Sequence, residues 1–140
     1  MITPADKPIL EKNKGHFFSI EEIRCSHCHE LPTGDDFEDF LRLMNTLREL
    51  CGFPLVINSW FRCKDHPIEA AKPNGPGAHS TGLAADVRVR GGKAFRVIEE
   101  SFNVGGFNGI GVNQKGDTRF IHLDSVSGKP DAPRPWIWSY

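Results

Sequence analysis

The stretch His79-Ser80-Thr81-Gly82-Leu83-Ala84-Ala85-Asp86-Val87-Arg88-Val89 decides how this chain is read. From Leu83 onward it alternates. Leu83, Ala85, Val87 and Val89 fall on one face, and Ala84, Asp86 and Arg88 on the other, which is the period of a half-buried strand. Asp86 therefore points away from the apolar face, while His79 sits at the end of a Gly-rich loop just upstream. Downstream, the run Thr118-Arg119-Phe120-Ile121-His122-Leu123-Asp124 alternates again, with His122 thirty-six residues beyond Asp86. Here His122 and Asp124 share one face, and Ile121 and Leu123 the other. His79, Asp86 and His122, borne on a loop and two strands, can meet in space. Such a nitrogen and oxygen set suits zinc with a fourth position left to water, whereas a closed structural site takes four protein ligands. On spacing alone the same residues also read as a surface loop histidine, a solvated strand carboxylate and a satisfied histidine.

Upstream, residues 61–78 form a long loop with Pro67, Pro73, Gly75, Pro76 and Gly77. A loop that long in a compact domain tends to carry function, and this one ends at His79. Before it, Pro54 to Trp60 reads as a strand. Asp35-Asp36-Phe37-Glu38 opens a helix in which Phe37, Phe40, Leu41, Met44 and Leu47 recur at helical spacing. Leu43 and Leu50 widen that stripe, and Gly52 ends it. Ser19-Ile20-Glu21-Glu22 is a capping box for a short helix, and residues 1–18 read as an extended arm.

Downstream, Gly91-Gly92 breaks the central strand. Lys93 to Phe102 reads as a helix with Phe95, Ile98 and Phe102 as its apolar stripe. Gly109 to Val112 is a short strand, Lys115-Gly116-Asp117 a turn, and the strand bearing His122 completes a hairpin. The tail from Ser125 is Pro-rich and ends Trp136-Ile137-Trp138-Ser139-Tyr140. This order predicts an α+β fold in one domain spanning residues 1–140, with a mostly antiparallel sheet carrying the ligands and helices flanking it.

The 140 residues are 39% apolar and 25% charged, which suits a globular chain with its own core. A net charge of -1 gives no basic field for nucleic acid. No apolar run is long enough for a membrane span, and Met1 to Lys7 shows no secretory signal. Synthesis in the cytoplasm is expected, without permanent disulfides. Cys25, Cys28 and one of His27 or His29 offer three donors for a second zinc, with Cys51 or Cys63 as a fourth. The usual second ligand pair at regular spacing is missing. A structural zinc at Cys25 and Cys28 is therefore not expected, and the cysteines read as small buried apolar residues.

The wording HxxGxAxD from His79 to Asp86, followed by Ile121-His122-Leu123-Asp124, resembles the D-alanyl-D-alanine carboxypeptidase-like zinc peptidases. These share a fold with the lysostaphin-type endopeptidases and the hedgehog signalling domain. The resemblance runs from about Phe17 to the C-terminus and is nearest to short members from bacteriophages and prophages. It implies one catalytic zinc on His79, Asp86 and His122, and cleavage of peptide bonds in peptidoglycan stem peptides, at D-Ala-D-Ala or L-Ala-D-Glu. Ser59-Trp60-Phe61-Arg62 is similar to the family's Ser-Gly-Tyr-Arg. It implies that Arg62 binds substrate and stabilises the developing oxyanion, a task a bidentate guanidinium suits.

Three positions depart from the family pattern. Gly77 replaces a serine ahead of the zinc histidine, and Trp60 replaces a small residue. Arg119 and Phe120 stand where many members place a Glu or His that serves as general base. Asp124 is the nearest carboxylate, either as the base or as a partner that orients a zinc-bound imidazole. Asp65, His66 and Asp117 are further candidates for the base. Trp136 and Trp138 either wall the substrate cleft or pack in the core, and Arg134 is a candidate partner for Asp124.

The expected protein is a monomeric zinc metallopeptidase, a phage-type lytic hydrolase whose partners are peptidoglycan peptides. It would reach the wall after holin-type release, like an endolysin, or on a phage particle. Two other readings remain. One is a zinc-binding wall-binding or structural protein on the same fold. The other is a zinc-ribbon-like interaction module built on Cys25 and Cys28.

Overall fold

The computed structural model describes residues 17–140. Nearly all of the expected N-terminal arm, residues 1–16, lies outside the described residues. Helix α1 (Ile20–Ile23) begins at the expected capping box. The Glu22 N–H donates to Ser19 Oγ at 3.2 Å, and the Ser19 N–H donates to Glu22 Oε1 at 2.9 Å. Helix α2 (Asp35–Cys51) starts with Asp35, Asp36 and Glu38 in its first turn, where carboxylates complement the helix dipole. It ends at Gly52, whose φ of 75° lets its N–H reach the Arg48 carbonyl. Phe37, Phe40, Leu41, Met44 and Leu47 are all buried, as their spacing requires.

Strand β1 (Val56–Ser59) leads into residues 60–77, which hold a short helix α3 (Pro67–Ala70). A 3-10 turn (Ala78–Thr81) precedes β2 (Ala84–Arg88). Helix α4 (Gly91–Val104), the hairpin β3 (Gly109–Asn113) and β4 (Phe120–Asp124), and β5 (Trp136–Ser139) complete the chain. The sheet order is β1-β2-β4-β3-β5. All pairings are antiparallel except β3 with β5, which are parallel. The fold is α+β, as the element order predicted. The C-terminal aromatic run adds an edge strand, which makes the sheet mixed.

Of the expected α4 stripe, Ile98 packs against the core but the two phenylalanines do not. Phe95 and Phe102 are 69% and 66% exposed, while Ala94, Val97 and Ser101 are buried. Both sets follow the i, i+3, i+7 spacing and lie one residue apart, about 100° around the helix. The smaller side chains face inward, where α4 packs against α2. The strand ends before Gly91 and Gly92 as expected, but the helix starts at Gly91 rather than Lys93, so the two glycines form its first turn.

The sheet sorts its residues by face. Ala85, Val87, Ile110, Ile121 and Leu123 join the core with α2 and α4. Register sets Ser59, Asp86, His122, Gly111 and Trp138 in one row across the five strands. A second row runs Ala84, Asp124, Gly109, Trp136. Trp60, following β1, is 1% exposed and meets Phe18, Phe37 and Phe40 edge-on at 5.4, 6.3 and 5.5 Å. That packing accounts for a large residue at a position where the resembling family has a small one.

Gly82 closes the 3-10 turn at φ 78°, and a Cβ there would overlap the Pro32 ring. Gly82→Ala is expected to cost about 2–4 kcal/mol, from the left-handed backbone plus overpacking. Urea melts of the two proteins measure it.

Candidate metal centre

The 3-10 turn holds His79 at 3% exposure and is sewn to the segment after β1. The Arg62 N–H donates to the His79 carbonyl at 3.1 Å. The indole N–H of Trp60 donates to the Gly82 carbonyl at 2.9 Å. His79 Nδ1 lies 2.7 Å from the Trp60 carbonyl oxygen. A carbonyl only accepts, so Nδ1 carries the hydrogen and Nε2 holds the lone pair in the neutral ring. Nε2 lies 3.3 Å from Asp86 Oδ1.

Asp86 and His122 are register partners on β2 and β4. His122 Nδ1 lies 3.0 Å from the same Asp86 Oδ1, and His122 Nε2 lies 2.7 Å from Asp124 Oδ2. Asp124 has no solvent exposure, and Arg134 holds it with a fork. Arg134 Nε donates to Oδ1 at 3.0 Å and Nη2 to Oδ2 at 2.7 Å. Burial by itself would raise the Asp124 pKa, but the hydrogen bonds from His122 and Arg134 outweigh it and hold the carboxyl below its usual range. A charged Asp124 accepts the Nε2 hydrogen of His122 and leaves the Nδ1 lone pair facing Asp86.

Two glycines make this arrangement possible. A Cβ at Gly109 would overlap the Asp124 carboxylate and the Arg134 guanidinium, and one at Gly111 would lie 2.7 Å from the Trp138 indole. With only hydrogen there, Trp138 lies over the row with its ring centroid 5.1 Å from that of His122 and 5.0 Å from the Arg134 guanidinium. Trp138 therefore fixes the His122 ring from one side while Asp124 fixes it by hydrogen bond.

His79, Asp86 and His122 each bring one donor atom within 4.8 Å of the others. In the neutral tautomers set by Trp60 and Asp124, lone pairs of both rings and of the carboxylate converge. That concentration of electron density is stable only around a cation or on protonated rings. Burial works against charge on Asp86 and on His122. Even so, the two imidazoles lower the Asp86 pKa, and Asp124 and Asp86 raise that of His122. Two imidazoles and one carboxylate with an open side fit zinc in a site that keeps a position for another ligand.

Asp86 also lines a cleft of about 470 Å³ with Arg24, Ser59, Arg62, His66 and Phe120. Arg62 Nε lies 3.0 Å from Glu69 Oε2. Glu69 is fully buried, and its Oε1 accepts from Lys72 Nζ at 3.0 Å and from the Gly77 N–H at 2.8 Å. Burial opposes the Glu69 charge, but Lys72, Gly77 and Arg62 more than compensate and keep its pKa lowered. Sequence reasoning missed Glu69. The available signal was Pro67 as the first residue of a helical turn, which places Glu69 facing inward.

The remaining candidates fall as follows. His66 caps α3, its Nδ1 accepting the Ile68 N–H at 3.1 Å, so its other nitrogen carries the hydrogen that faces Ser26 Oγ. Asp65 is exposed beside Lys64. Asp117 and Arg119 line a different cavity with Arg88 and Arg90. Trp136, 45% exposed, stacks on Trp138 at 5.4 Å and lines a third, apolar cavity with Phe102 and Phe107. The sulfurs of Cys25, Cys28 and Cys63 gather in a second cluster, while Cys51 ends α2 in the core.

Among known proteins, a family model described as Peptidase M15 matches residues 16–124. No curated protein and no solved structure matches the chain.

Proposed function

The chain belongs to the M15 peptidases, a family of zinc-dependent hydrolases, and on that premise we propose that it cleaves peptide bonds in peptidoglycan stem peptides. The observation that supports this most is the convergence of His79 Nε2, Asp86 Oδ1 and His122 Nδ1 at a cleft that also presents Arg62. Zinc held by His79, Asp86 and His122 would supply Lewis acidity, to polarise a carbonyl and to lower the pKa of water toward neutrality.

The chain's own residues orient the ligands and bind the substrate. Trp60 and Asp124 fix which nitrogen each histidine presents. Asp124, with both oxygens occupied by His122 and Arg134, acts as a positioning residue and not as a proton acceptor. Arg62, steadied at Nε by Glu69, offers its remaining N–H groups to a stem-peptide carboxylate or to the developing oxyanion. A role as a monomeric phage or prophage lytic enzyme, acting after holin-type release or on the phage particle, belongs to the same proposal. The resemblance to short phage members supports it.

The test is digestion of purified peptidoglycan, reading product masses for the wild type and for His79→Ala, with zinc counted in both. Cleavage that vanishes with the metal supports the reading, and the masses name the bond. No cleavage by the zinc-loaded wild type would overturn it in favour of a wall-binding protein, with Arg119 and Phe120 as the reason.

Arg62→Lys keeps the charge beside Glu69 and loses the fork. It is expected to lower kcat/KM by about 10²-fold, the scale of losing one oxyanion donor. Zinc content should stay at the wild-type level.

A further inference from the structure

We propose that Cys25, Cys28 and Cys63 form a second metal site, a thiolate zinc clamp joining the turn after α1 to the loop that carries Arg62. The three sulfurs lie within 4.8 Å of one another, and none is in a disulfide. Tetrahedral zinc with sulfur at about 2.3 Å sets its sulfurs roughly 3.8 Å apart, so only a small contraction completes the site. One disulfide would use two of three thiols and leave the third without a role. Apolar packing does not explain the cluster either, because Cys25 is buried but Cys28 and Cys63 are partly exposed.

The backbone around the cluster is shaped for sulfur anions. The N–H groups of His27 and Cys63 donate to Cys25 Sγ at 3.4 and 3.3 Å. The Cys25–His29 turn closes on itself. The His29 N–H donates to the Cys25 carbonyl at 2.9 Å, and the Cys25 N–H to the Glu30 carbonyl at 3.0 Å. His29 has φ 63°, the single non-glycine residue at positive φ among the described residues. That left-handed step turns the chain back after Cys28, so that the Glu30 carbonyl meets the Cys25 N–H.

Three soft thiolates select zinc over the hard cations that carboxylates hold. With two of the cysteines partly exposed, a water can take the fourth position. The clamp has a mechanical meaning. Phe61 donates its N–H to the Ile23 carbonyl at 3.1 Å, and Arg62 donates its own to His79. Cys63 is the next residue, so metal there anchors the cleft wall bearing Arg62 from the far side. The site itself stands without the peptidase reading. Only its effect on Arg62 rests on that reading.

The experiment counts metal and follows cobalt substitution, which gives a thiolate-to-metal charge-transfer band in the near ultraviolet. Two zinc ions per wild-type chain and a strong band are expected. His79→Ala should keep one zinc and the band. Cys63→Ser should lose the band and keep one zinc, with Cys28→Ser as a second variant should the first fail to fold. In the folded wild type, the cluster thiols should react with a disulfide reagent only after chelation. No band in the wild type, together with cluster thiols that react as fast as in the unfolded chain, would overturn the proposal. A band with no metal at His79, Asp86 and His122 would uphold the clamp and sink the peptidase reading.

Discussion

Asp86→Ala is expected to empty the histidine site of zinc and to lower cleavage of peptidoglycan by about 10³-fold or more. Asp86 Oδ1 is the atom both rings share, 3.3 Å from His79 Nε2 and 3.0 Å from His122 Nδ1. Without it, two neutral nitrogens remain and the negative charge that attracts a cation is gone. A metal contributes several kcal/mol of transition-state stabilisation, and each 1.36 kcal/mol is tenfold in rate. The fold should survive, because Asp86 faces away from the core and its backbone pairs with β1 and β4 are untouched. Metal analysis, kcat/KM and thermal melts with and without chelator check this. Wild-type cleavage by a variant that holds no zinc at this site would refute the metal assignment.

Asp124→Ala attacks stability as well as the site. It leaves the Arg134 guanidinium, only 7% exposed in its side chain, without its carboxylate. Breaking a buried ion pair from one side costs about 3–5 kcal/mol. It also frees the His122 ring, which should weaken zinc binding about 10–100-fold, the range for losing a histidine's outer partner. The pH dependence of the wild type follows from the same carboxyl. Its folded pKa lies below the unfolded value of about 3.9, so its stabilisation is fully present above that value. It is lost as pH falls through the lower folded value. Urea melts of wild type and variant, in chelator and from neutral pH downward, should therefore converge at the acid end. An Asp124→Ala protein with unchanged zinc affinity and stability but no cleavage would instead make Asp124 the general base.

The parts legible in the sequence were those governed by local periodicity. The stripe from Phe37 to Leu47 and the alternation from Leu83 to Val89 carry their own evidence. The candidate ligands were legible because strand parity places Asp86 and His122 on one face. Parity also placed Asp124 beside His122, but not its role, since that depends on Arg134 arriving from the tail. Contacts distant in sequence left no local mark. The parallel pairing of β5 with β3, the choice of Cys63 over Cys51 beside Cys25, and the burial of Glu69 are all of this kind. Of the expected α4 stripe only Ile98 packs inward; two stripes of equal period run side by side, and the packing against α2 selected the one with the smaller side chains.

The central position of β2 and β4 bears on how the protein folds. Asp86 and His122 are 36 residues apart in sequence, and between them lie α4 and β3. Joining β2 to β4 requires closing that whole loop, an entropic cost met before the pairing rewards it. The hairpin of β3 and β4 is local and can form early. The pair that carries two of the three candidate ligands, Asp86 and His122, is thus expected to close after the hairpin. Zinc held there would act as a latch on that seam, slowing its reopening more than it speeds its closing.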